Sequence, residues 1–144
     1  MIVSDRFQLN ILTPEKEVFS GRTSSVTVTG AMGEFGVLPG HYPYITSVRP
    51  GALSFAAKGP AGEDEGHIYA VGHGFAQVSA EKVSIVVSSF ENAENVDIDE
   101  ARKLLEQADK AMLEADPSSS EYADAQVAQA LATGRILAAE RRSE

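Results

Sequence analysis

Glycine and proline are concentrated in the first half of the chain, and alanine is concentrated in its last third. Eleven of the 12 glycines and five of the 6 prolines lie in residues 1–74, whereas residues 93–144 hold twelve alanines. Glycine and proline mark tight turns, and alanine has the highest intrinsic preference for helix. This break predicts two unlike parts, which are strands joined by turns in residues 1–92 and helices in residues 97–142.

The first part shows the alternation of apolar and polar residues that is typical of half-buried strands. Phe7, Leu9 and Ile11 alternate with polar residues, and Val26 and Val28 do the same. Several short strands with Gly and Pro between them, and with no helix interleaved, favour an antiparallel sheet. We therefore predict a protein that is mainly β plus α, in which an N-terminal antiparallel β-sandwich precedes the helices.

The ends of two helices can be read from the second part. Asp97 followed by Glu100 predicts the N-cap of the first helix, and Pro117 is expected to end it. Ser118 with Glu121 predicts the N-cap of the second helix. Because the link is short, we expect an antiparallel two-helix hairpin.

Each predicted helix has one stripe of small or apolar residues at helical spacing. The first stripe consists of Ala101, Leu105, Ala108, Met112 and Ala115, and the second of Ala123, Val127, Ala130, Gly134 and Leu137. Side chains this small bury little apolar area, so the pair is expected to be weakly held. Two interpretations remain open, a tail that stays docked on the sandwich and an arm that can leave it. Replacing Gly134 by alanine is expected to stabilise the second helix by about 1 kcal/mol in either position.

Charge and composition exclude several functions. The net charge of −9 argues against nucleic acid as a partner and against adhesion to an anionic membrane surface. No apolar run approaches the roughly 18 residues of a transmembrane helix, so direct membrane insertion is not expected. The chain has no cysteine, no phosphate loop, no H-E-x-x-H and no G-x-S-x-G, and its three histidines lack close ligand spacing. We therefore predict neither a catalytic site nor a metal site.

The segment from Thr29 to Tyr44 is dense in turn residues, with glycine at four positions and proline at two. These turns are expected to hold Glu34 and His41 on one exposed corner of the sandwich. A purely structural cluster of turns would explain the glycines and prolines, but it would not explain the apolar residues around them.

These motifs resemble the epsilon-subunit family of the F-type ATP synthases along almost the whole chain. The order and spacing of the G-E-x-G-x-x-P-G-H-x-P run are highly specific. The segments that carry the resemblance are Gly33-Glu34-Phe35-Gly36, Leu38-Pro39-Gly40-His41-Tyr42-Pro43, Arg49-Pro50-Gly51, Val71-Gly72-His73-Gly74-Phe75 and Ile98-Asp99-Glu100-Ala101-Arg102.

The resemblance implies a non-catalytic subunit of the central stalk, or rotor, of a proton-translocating ATP synthase, with catalytic sites on other chains. It implies that the sandwich binds the gamma subunit and the ring of proton-carrying membrane subunits. In this interpretation Glu34 faces the ring and His41 faces gamma. The hairpin is expected to extend toward the alpha/beta catalytic head and to restrain ATP hydrolysis. The expected location is the cytoplasmic face of the bacterial inner membrane, where the chain is peripheral and held through the complex.

Some family members bind ATP on the folded hairpin, and part of their motif is present here. Ile98, Asp99 and Arg102 match it, and Arg135 stands for one arginine of the second helix. The departures from the family's pattern are Lys103, Asp109 and Leu131. Because two cationic phosphate contacts are missing, we expect ATP to be a weak regulatory ligand at most, and we expect no required cofactor.

One alternative remains beside the rotor interpretation, a freestanding β-sandwich that acts as a protein-binding module. Such a module would leave the apolar residues of the 37–44 segment without an obligatory partner.

Overall fold

The computed structural model describes residues 6–30, 33–38, 42–58 and 64–142. Within these residues nine strands precede a short 3₁₀ helix and two α-helices. The strands are β1 (Phe7–Leu12), β2 (Glu17–Thr23), β3 (Val26–Gly30), β4 (Gly33–Val37), β5 (Tyr44–Lys58), β6 (Asp64–Val71), β7 (Gly74–Val78), β8 (Lys82–Val87) and β9 (Phe90–Asn92). The 3₁₀ helix spans Ala93–Asn95, and the α-helices are α1 (Ile98–Glu114) and α2 (Ser120–Arg141).

The strands form a sandwich in which the long strand β5 belongs to both layers. Its first half, from Tyr44 to Val48, pairs with β7, and its second half, from Gly51 to Lys58, pairs with β6. The order along the sheet is β2-β1-β8-β7-β5-β3-β4, and β6 and β9 extend from the second half of β5. Among the described strands the pairs are antiparallel except for β1 with β8, which is parallel. The predicted sandwich is confirmed, with this parallel pair as an addition to the expected pattern.

The core of the sandwich follows from the alternation in the strands. Phe7, Leu9 and Ile11 are almost completely buried, and they meet inward residues of the other strands. Each such side chain contributes about 1.5–3 kcal/mol when it leaves water. The other fully buried large residues of this core include Val26, Val28, Leu53, Val83 and Ile85.

The hairpin covers the outer face of the second half of β5 and of β6. Ala52 and Ala70 point away from the core residue Leu53, yet they are buried because Ala138 and Ala139 of α2 lie against them. Helix α2 therefore contacts the sheet directly, and α1 packs on α2.

Helix α1 agrees with its predicted cap and stripe. The Asp97 side chain accepts a hydrogen bond from the Glu100 amide at 3.1 Å. Ala101 and Ala108 are buried, and the other three members of the stripe, Leu105, Met112 and Ala115, are partly buried. The spacing of apolar residues was sufficient here because α1 has one packed side.

The predicted N-cap of α2 was wrong by one residue. The cap is Ser119, whose hydroxyl accepts a hydrogen bond from the Tyr122 amide at 3.2 Å. Ser118 instead donates its amide and its hydroxyl to the Asp116 carboxylate, at 2.9 and 2.8 Å. Asp116 therefore holds Ser118 in the turn, and the helix begins one residue later.

The predicted stripe of α2 was wrong in its first half, whereas Gly134 is buried and Ala130 and Leu137 are partly buried. Ala123 and Val127 are exposed. The buried residues of the helix are Ala125, Ala132, Gly134, Ala138 and Ala139. Since α2 is packed by the sheet on one side and by α1 on another, its small residues are distributed around two faces and form no single stripe.

Candidate functional site at the sheet–hairpin interface

The backbone of α2 comes close to the backbone of β5 at Gly134. A Cβ atom added there would lie 2.6 Å from the Gly51 nitrogen and 2.9 Å from the Pro50 carbonyl carbon. Real Cβ atoms essentially never approach backbone atoms within 3.0 Å. Gly134 therefore lets α2 rest directly on the backbone of β5, at the point where that strand passes from one layer to the other.

Arg135, the next residue, joins three elements. Its Nε donates to Glu91 Oε1 of β9 at 3.0 Å, and its Nη1 lies 3.6 Å from Glu100 Oε1 of α1. The Arg135 side chain is 22% exposed and that of Glu91 37%. One guanidinium thus bridges the last strand, the start of α1 and the last third of α2.

The C-terminal turn of α2 is attached to the sandwich by two arginines. Arg141 Nη1 forms an ion pair with Glu34 Oε2 of β4. Arg142 Nη1 donates to the carbonyl oxygens of Ala93 and Val96, the latter at 3.0 Å. Ala93 is the first residue of the 3₁₀ helix and Val96 is the residue after it, so both carbonyls lie in the segment that connects the sandwich to α1. The hairpin is therefore held in the last third of α2 by Arg135 and at the end of that helix by Arg141 and Arg142.

The structure places Glu34 on the hairpin side of β4, where its partner is Arg141. His41, the other residue predicted on this corner, lies outside the described residues. The assignment of Glu34 to the ring and of His41 to gamma stays a prediction.

The residues predicted for ATP binding are not arranged as an open cationic site. Arg135 already contacts two carboxylates, Glu91 and Glu100, so an anion would have to displace them. Ile98 packs against the apolar cluster beneath the hairpin, whereas Arg102 is exposed on α1. Asp109, which departs from the ATP-binding pattern, accepts a hydrogen bond from Gln129 at 2.7 Å and so ties α1 to α2.

A cleft of about 540 Å³ opens between the sheet and the hairpin beside Arg135. Its walls are mostly apolar, and they come from both parts of the chain. The lining residues include Val71 and Phe90 of the sheet, Leu104 of α1, and Ala128 and Leu131 of α2. This incomplete closure is consistent with the small residues of the hairpin.

A second surface, on the sandwich, is apolar and exposed. Ile45 is 70% exposed and Tyr42 is 88% exposed, and Leu38, Tyr44 and Phe75 are also well exposed. We call these five residues the apolar surface. Ile45 and Phe75 lie on β5 and β7, in the half of β5 that the hairpin does not cover. The register of β5 and β7 puts Ile45 and Phe75 on the same outward face, and exposed apolar residues grouped in this way are typical of a protein-binding surface.

Sequence reasoning missed Arg141, Arg142 and Glu91. The signal for the two arginines was their position side by side at the end of a strongly acidic segment. Cations are ordinarily favourable at a helix C-terminus, so this local explanation concealed their long-range contacts. Glu91 carries no local signal, because only the fold brings it to Arg135.

The described residues also bear on metal binding and on membrane crossing. No group of three or more His, Cys, Asp or Glu residues among them has an arrangement that could hold a metal ion. None of their helices is both long enough and apolar enough to cross a membrane.

Comparison with known proteins gives a consistent result. Residues 6–93 match the family model described as "ATP synthase, Delta/Epsilon chain, beta-sandwich domain". The chain is 32% identical over 120 residues to the ATP synthase epsilon chain of Geotalea daltonii, which covers 83% of both chains. It is 41% identical over 102 residues to the ATP synthase epsilon chain of Nitratidesulfovibrio vulgaris, which covers 71% of this chain and 72% of the relative.

A solved structure shares the fold. It is a chain in the cryo-EM structure of the Euglena gracilis mitochondrial ATP synthase, OSCP/F1/c-ring in rotational state 1. The TM-score is 0.77 at 20% sequence identity, over 99% of this chain and 84% of the other. The sandwich, the docked hairpin and the relatives that span both parts together show that this chain belongs to the epsilon-chain family of the ATP synthases.

Proposed function

We propose that this protein is a central-stalk subunit of an F-type ATP synthase, without a catalytic site of its own. The observation that carries the proposal is the match to epsilon chains over 83% of both sequences, which is longer than the sandwich alone. In this proposal the sandwich transmits rotation between the proton-carrying ring and the gamma subunit, and the catalytic sites lie on other chains.

The apolar surface supports a contact with gamma. Ile45 and Phe75 lie on strands β5 and β7, whose inner faces contribute Val48, Ala76 and Val78 to the sandwich core, so this part of the surface is already formed before a partner binds. A rigid apolar surface loses little conformational entropy when a partner covers it. We assign gamma to this surface, because Ile45 and Phe75 lie in the half of β5 that the hairpin does not cover.

The corner that holds Glu34 is the proposed contact with the ring, and His41 is the proposed contact with gamma. The support is their position in the family's motif, together with the placement of Glu34 on the edge strand β4. Because the chain has no cysteine of its own, Glu34→Cys and His41→Cys can be crosslinked selectively in the assembled complex. Crosslinks to ring and gamma respectively are expected, and crosslinks of both only to the catalytic head would reverse the orientation.

The hairpin is the proposed regulatory element, with one position docked on the sandwich and one extended toward the alpha/beta head. Its interface with the sheet consists mainly of alanine and glycine, together with the partly exposed contacts of Arg135 and Arg141. Such an interface is weak enough for a second position to be populated, as a two-state arm requires. In the extended position the arm restrains ATP hydrolysis.

ATP enters the proposal only as a weak regulatory ligand of the docked hairpin, at Ile98, Asp99, Arg102 and Arg135. The ion pairs of Arg135 with Glu91 and Glu100 would compete with a phosphate group. No cofactor is required for the stalk function.

The freestanding binding module is not favoured, because the relatives align across both the sandwich and the start of the hairpin. For the location we propose the cytoplasmic face of the bacterial inner membrane, with attachment through the complex.

The test is truncation after Asn95, which removes both helices and leaves all nine described strands. The truncated chain is expected to co-purify with gamma and the ring, to support ATP-driven proton pumping, and to release the restraint on hydrolysis. The full-length chain purified in parallel is the control. Loss of gamma binding on truncation would contradict the proposed division of labour.

A further inference from the structure

The cleft between the sheet and the hairpin has the size of a small-molecule site. Its volume is about 540 Å³, and pockets for drug-sized molecules typically have about 300–1,000 Å³. Val71 and Phe90 line it from the sheet. Leu104 of α1 and Leu131 of α2 line it from the hairpin. A molecule in the cleft would therefore contact β6, β9 and both helices at once.

Two of these walls are held in place by the rest of the fold. The Phe90 ring stacks on Tyr69 with the ring centroids 4.2 Å apart, and Tyr69 stacks in turn on the buried Phe55. On the hairpin side, a Cβ atom added to Gly72 would lie 3.3 Å from Leu131 Cδ2, so this leucine packs against the turn between β6 and β7. Both walls are therefore formed before a ligand arrives, and binding does not have to order them.

The charged groups beside the cleft already bind one another. Arg135 Nε donates to Glu91 Oε1 at 3.0 Å, and Arg135 Nη1 lies 3.6 Å from Glu100 Oε1. One guanidinium between two carboxylates leaves one negative charge in excess, within a chain whose net charge is −9. An anionic ligand would be repelled by this charge unless it displaced one of the acids, so the site disfavours phosphates and carboxylates.

Besides Arg135 and Glu91, the described lining of the cleft has one polar side chain, Ser89. A hydroxyl group can donate or accept a hydrogen bond, which is enough to orient one polar atom of a ligand. The other lining residues are apolar. Covering such walls with an apolar ligand is favourable, because it removes apolar area from water.

We propose that this cleft is a binding site for an uncharged, largely apolar molecule of drug size, with one hydrogen-bonding group that faces Ser89. ATP would share Arg135 with this molecule, but its phosphates make it the weaker ligand. Binding is independent of gamma and of the ring, because all the described walls of the cleft belong to this chain. The site therefore goes beyond the stalk function, and it can be tested on the isolated protein.

The test titrates the isolated full-length chain with two dyes. Nile red is uncharged and apolar, whereas anilinonaphthalene sulfonate is apolar and carries one negative charge. Nile red fluorescence is expected to rise and to saturate at one dye per chain, and the anionic dye is expected to bind at least ten-fold more weakly. Fluorescence that rises without saturation, or equal affinity for the two dyes, would overturn the proposal.

The variant Ala128→Phe locates the dye. Ala128 lines the cleft and is exposed on α2, so a phenyl ring there fills the cleft without entering the core. The affinity for Nile red should fall at least ten-fold. Ala123→Phe, at an exposed position of the same helix outside the cleft lining, is the matched control and should leave the affinity unchanged. Leu104→Gln, in the wall formed by α1, should weaken binding independently if Ala128→Phe perturbs α2.

Ile45→Asp distinguishes the cleft from the apolar surface, which is the other place where an apolar dye can bind. This variant should leave the affinity for Nile red unchanged. Loss of the signal in Ile45→Asp but not in Ala128→Phe or Leu104→Gln would place the dye on the apolar surface and would overturn the proposal.

Glu91→Gln tests the role of charge, because it removes one of the two acids that contact Arg135. The affinity for the anionic dye should rise about two- to five-fold, as the loss of a partly exposed ion pair implies. An unchanged affinity would show that charge does not select the ligand. A negative result in any of these titrations leaves the stalk function untouched, whereas failure to assemble with gamma and the ring would contradict the stalk function alone.

Discussion

A Cβ atom on Gly134 would lie 2.6 Å from the amide nitrogen of Gly51, so helix α2 and strand β5 meet backbone to backbone. Neither position has room for a larger residue, since a Cβ on Gly51 would lie 2.4 Å from the Thr29 hydroxyl oxygen. The hairpin thus docks at a place where the missing side chain of Gly134 allows α2 to lie close to the backbone of β5. From the sequence, alanine at position 134 was expected to stabilise α2 equally in both positions of the hairpin. The close contact with Gly51 instead predicts that alanine there weakens docking.

Gly134→Ala is predicted to release the hairpin. The gain in helix propensity is about 1 kcal/mol, and it applies in both positions of the arm. Overpacking against a backbone that cannot move costs typically about 1–3 kcal/mol, and it applies only when the hairpin is docked. Circular dichroism should show unchanged or higher helix content, while protease cleavage of the segment between β9 and α1 becomes faster.

Ala123→Gly is the matched control for this variant, because Ala123 is exposed on the same helix. It should lower helix content without increasing cleavage to the same degree. Slower cleavage in Gly134→Ala than in wild type would show that α2 does not need the close contact with β5.

Ala108→Leu is predicted to separate the two helices. Ala108 is buried between α1 and α2, where three additional carbon atoms overpack the contact by typically about 1–3 kcal/mol. The same substitution at Ala111, which is exposed on α1, should have little effect. Cleavage of the link at Pro117 and the ATP hydrolysis rate of the complex should change together for Ala108→Leu. Faster cleavage of that link with unchanged hydrolysis would argue against the hairpin as the inhibitory element.

Arg135→Gln is predicted to weaken docking by roughly 0.5–1 kcal/mol, because the ion pair with Glu91 is partly exposed and therefore screened. The measurement is a double-mutant cycle with Glu91→Gln. The free energy of unfolding of each protein is obtained from urea unfolding at low and at high salt. A coupling energy that falls as salt rises is expected. A coupling energy of zero at low salt would show that the contact contributes nothing to docking.

Ile45→Asp is predicted to reduce binding to gamma without destabilising the chain. Ile45 is 70% exposed, so the free protein loses little buried area, whereas a charge at the centre of an apolar interface costs more than about 1 kcal/mol. Thermal unfolding of the isolated chain and the yield of co-purified gamma are the two measurements. Ser20→Asp, at an exposed position on β2, is the control. Equal losses of co-purified gamma in Ile45→Asp and Ser20→Asp would show that gamma does not bind the apolar surface.

The titration of Asp116 tests the turn that precedes α2, in which Ser118 donates two hydrogen bonds to the Asp116 carboxylate. The backbone hydrogen bond from Ser118, and then the hydrogen bond from its side chain, lower the pKa of this carboxyl group below its ordinary value. A lowered folded-state pKa means that the stabilisation is present above the unfolded pKa and is lost as pH falls through the folded pKa. Ser118→Ala should raise the pKa of Asp116 toward its ordinary value in an NMR titration, whereas Ser119→Ala should mainly fray α2. No change in the Asp116 pKa for Ser118→Ala would contradict this turn geometry.

Some features were predictable because they depend on residues near one another in the chain. The alternation of Phe7, Leu9 and Ile11 was enough to identify a strand and its buried face. Asp97 with Glu100 was enough to locate the start of α1, because an N-cap spans only one helical turn. The family motif from Gly33 to Pro43 suggests a functional role for Glu34, which stays a prediction, and it could not supply the residue's contact with Arg141.

Other features depend on which surfaces the chain brings together. The second helix was assigned a single buried stripe because periodicity assumes one packed side, whereas α2 is covered by both the sheet and α1. Its cap moved from Ser118 to Ser119 because Asp116 competes for the donors of Ser118. In the same way β8 pairs with β1 in parallel, a register that local alternation does not specify.

By itself the sequence determined the division into sandwich and hairpin, since glycine, proline and alanine act through local backbone preferences that need no tertiary contact. Only the tertiary structure decided that Gly134 faces Gly51, that Arg135 meets Glu91, and that Arg141 meets Glu34. These pairs are separated by more than forty residues of chain, as the numbering shows, and their energies depend on distance and burial after folding. The sequence does not show which partner a charged residue or a glycine will contact. Its role is therefore decided only by the tertiary structure.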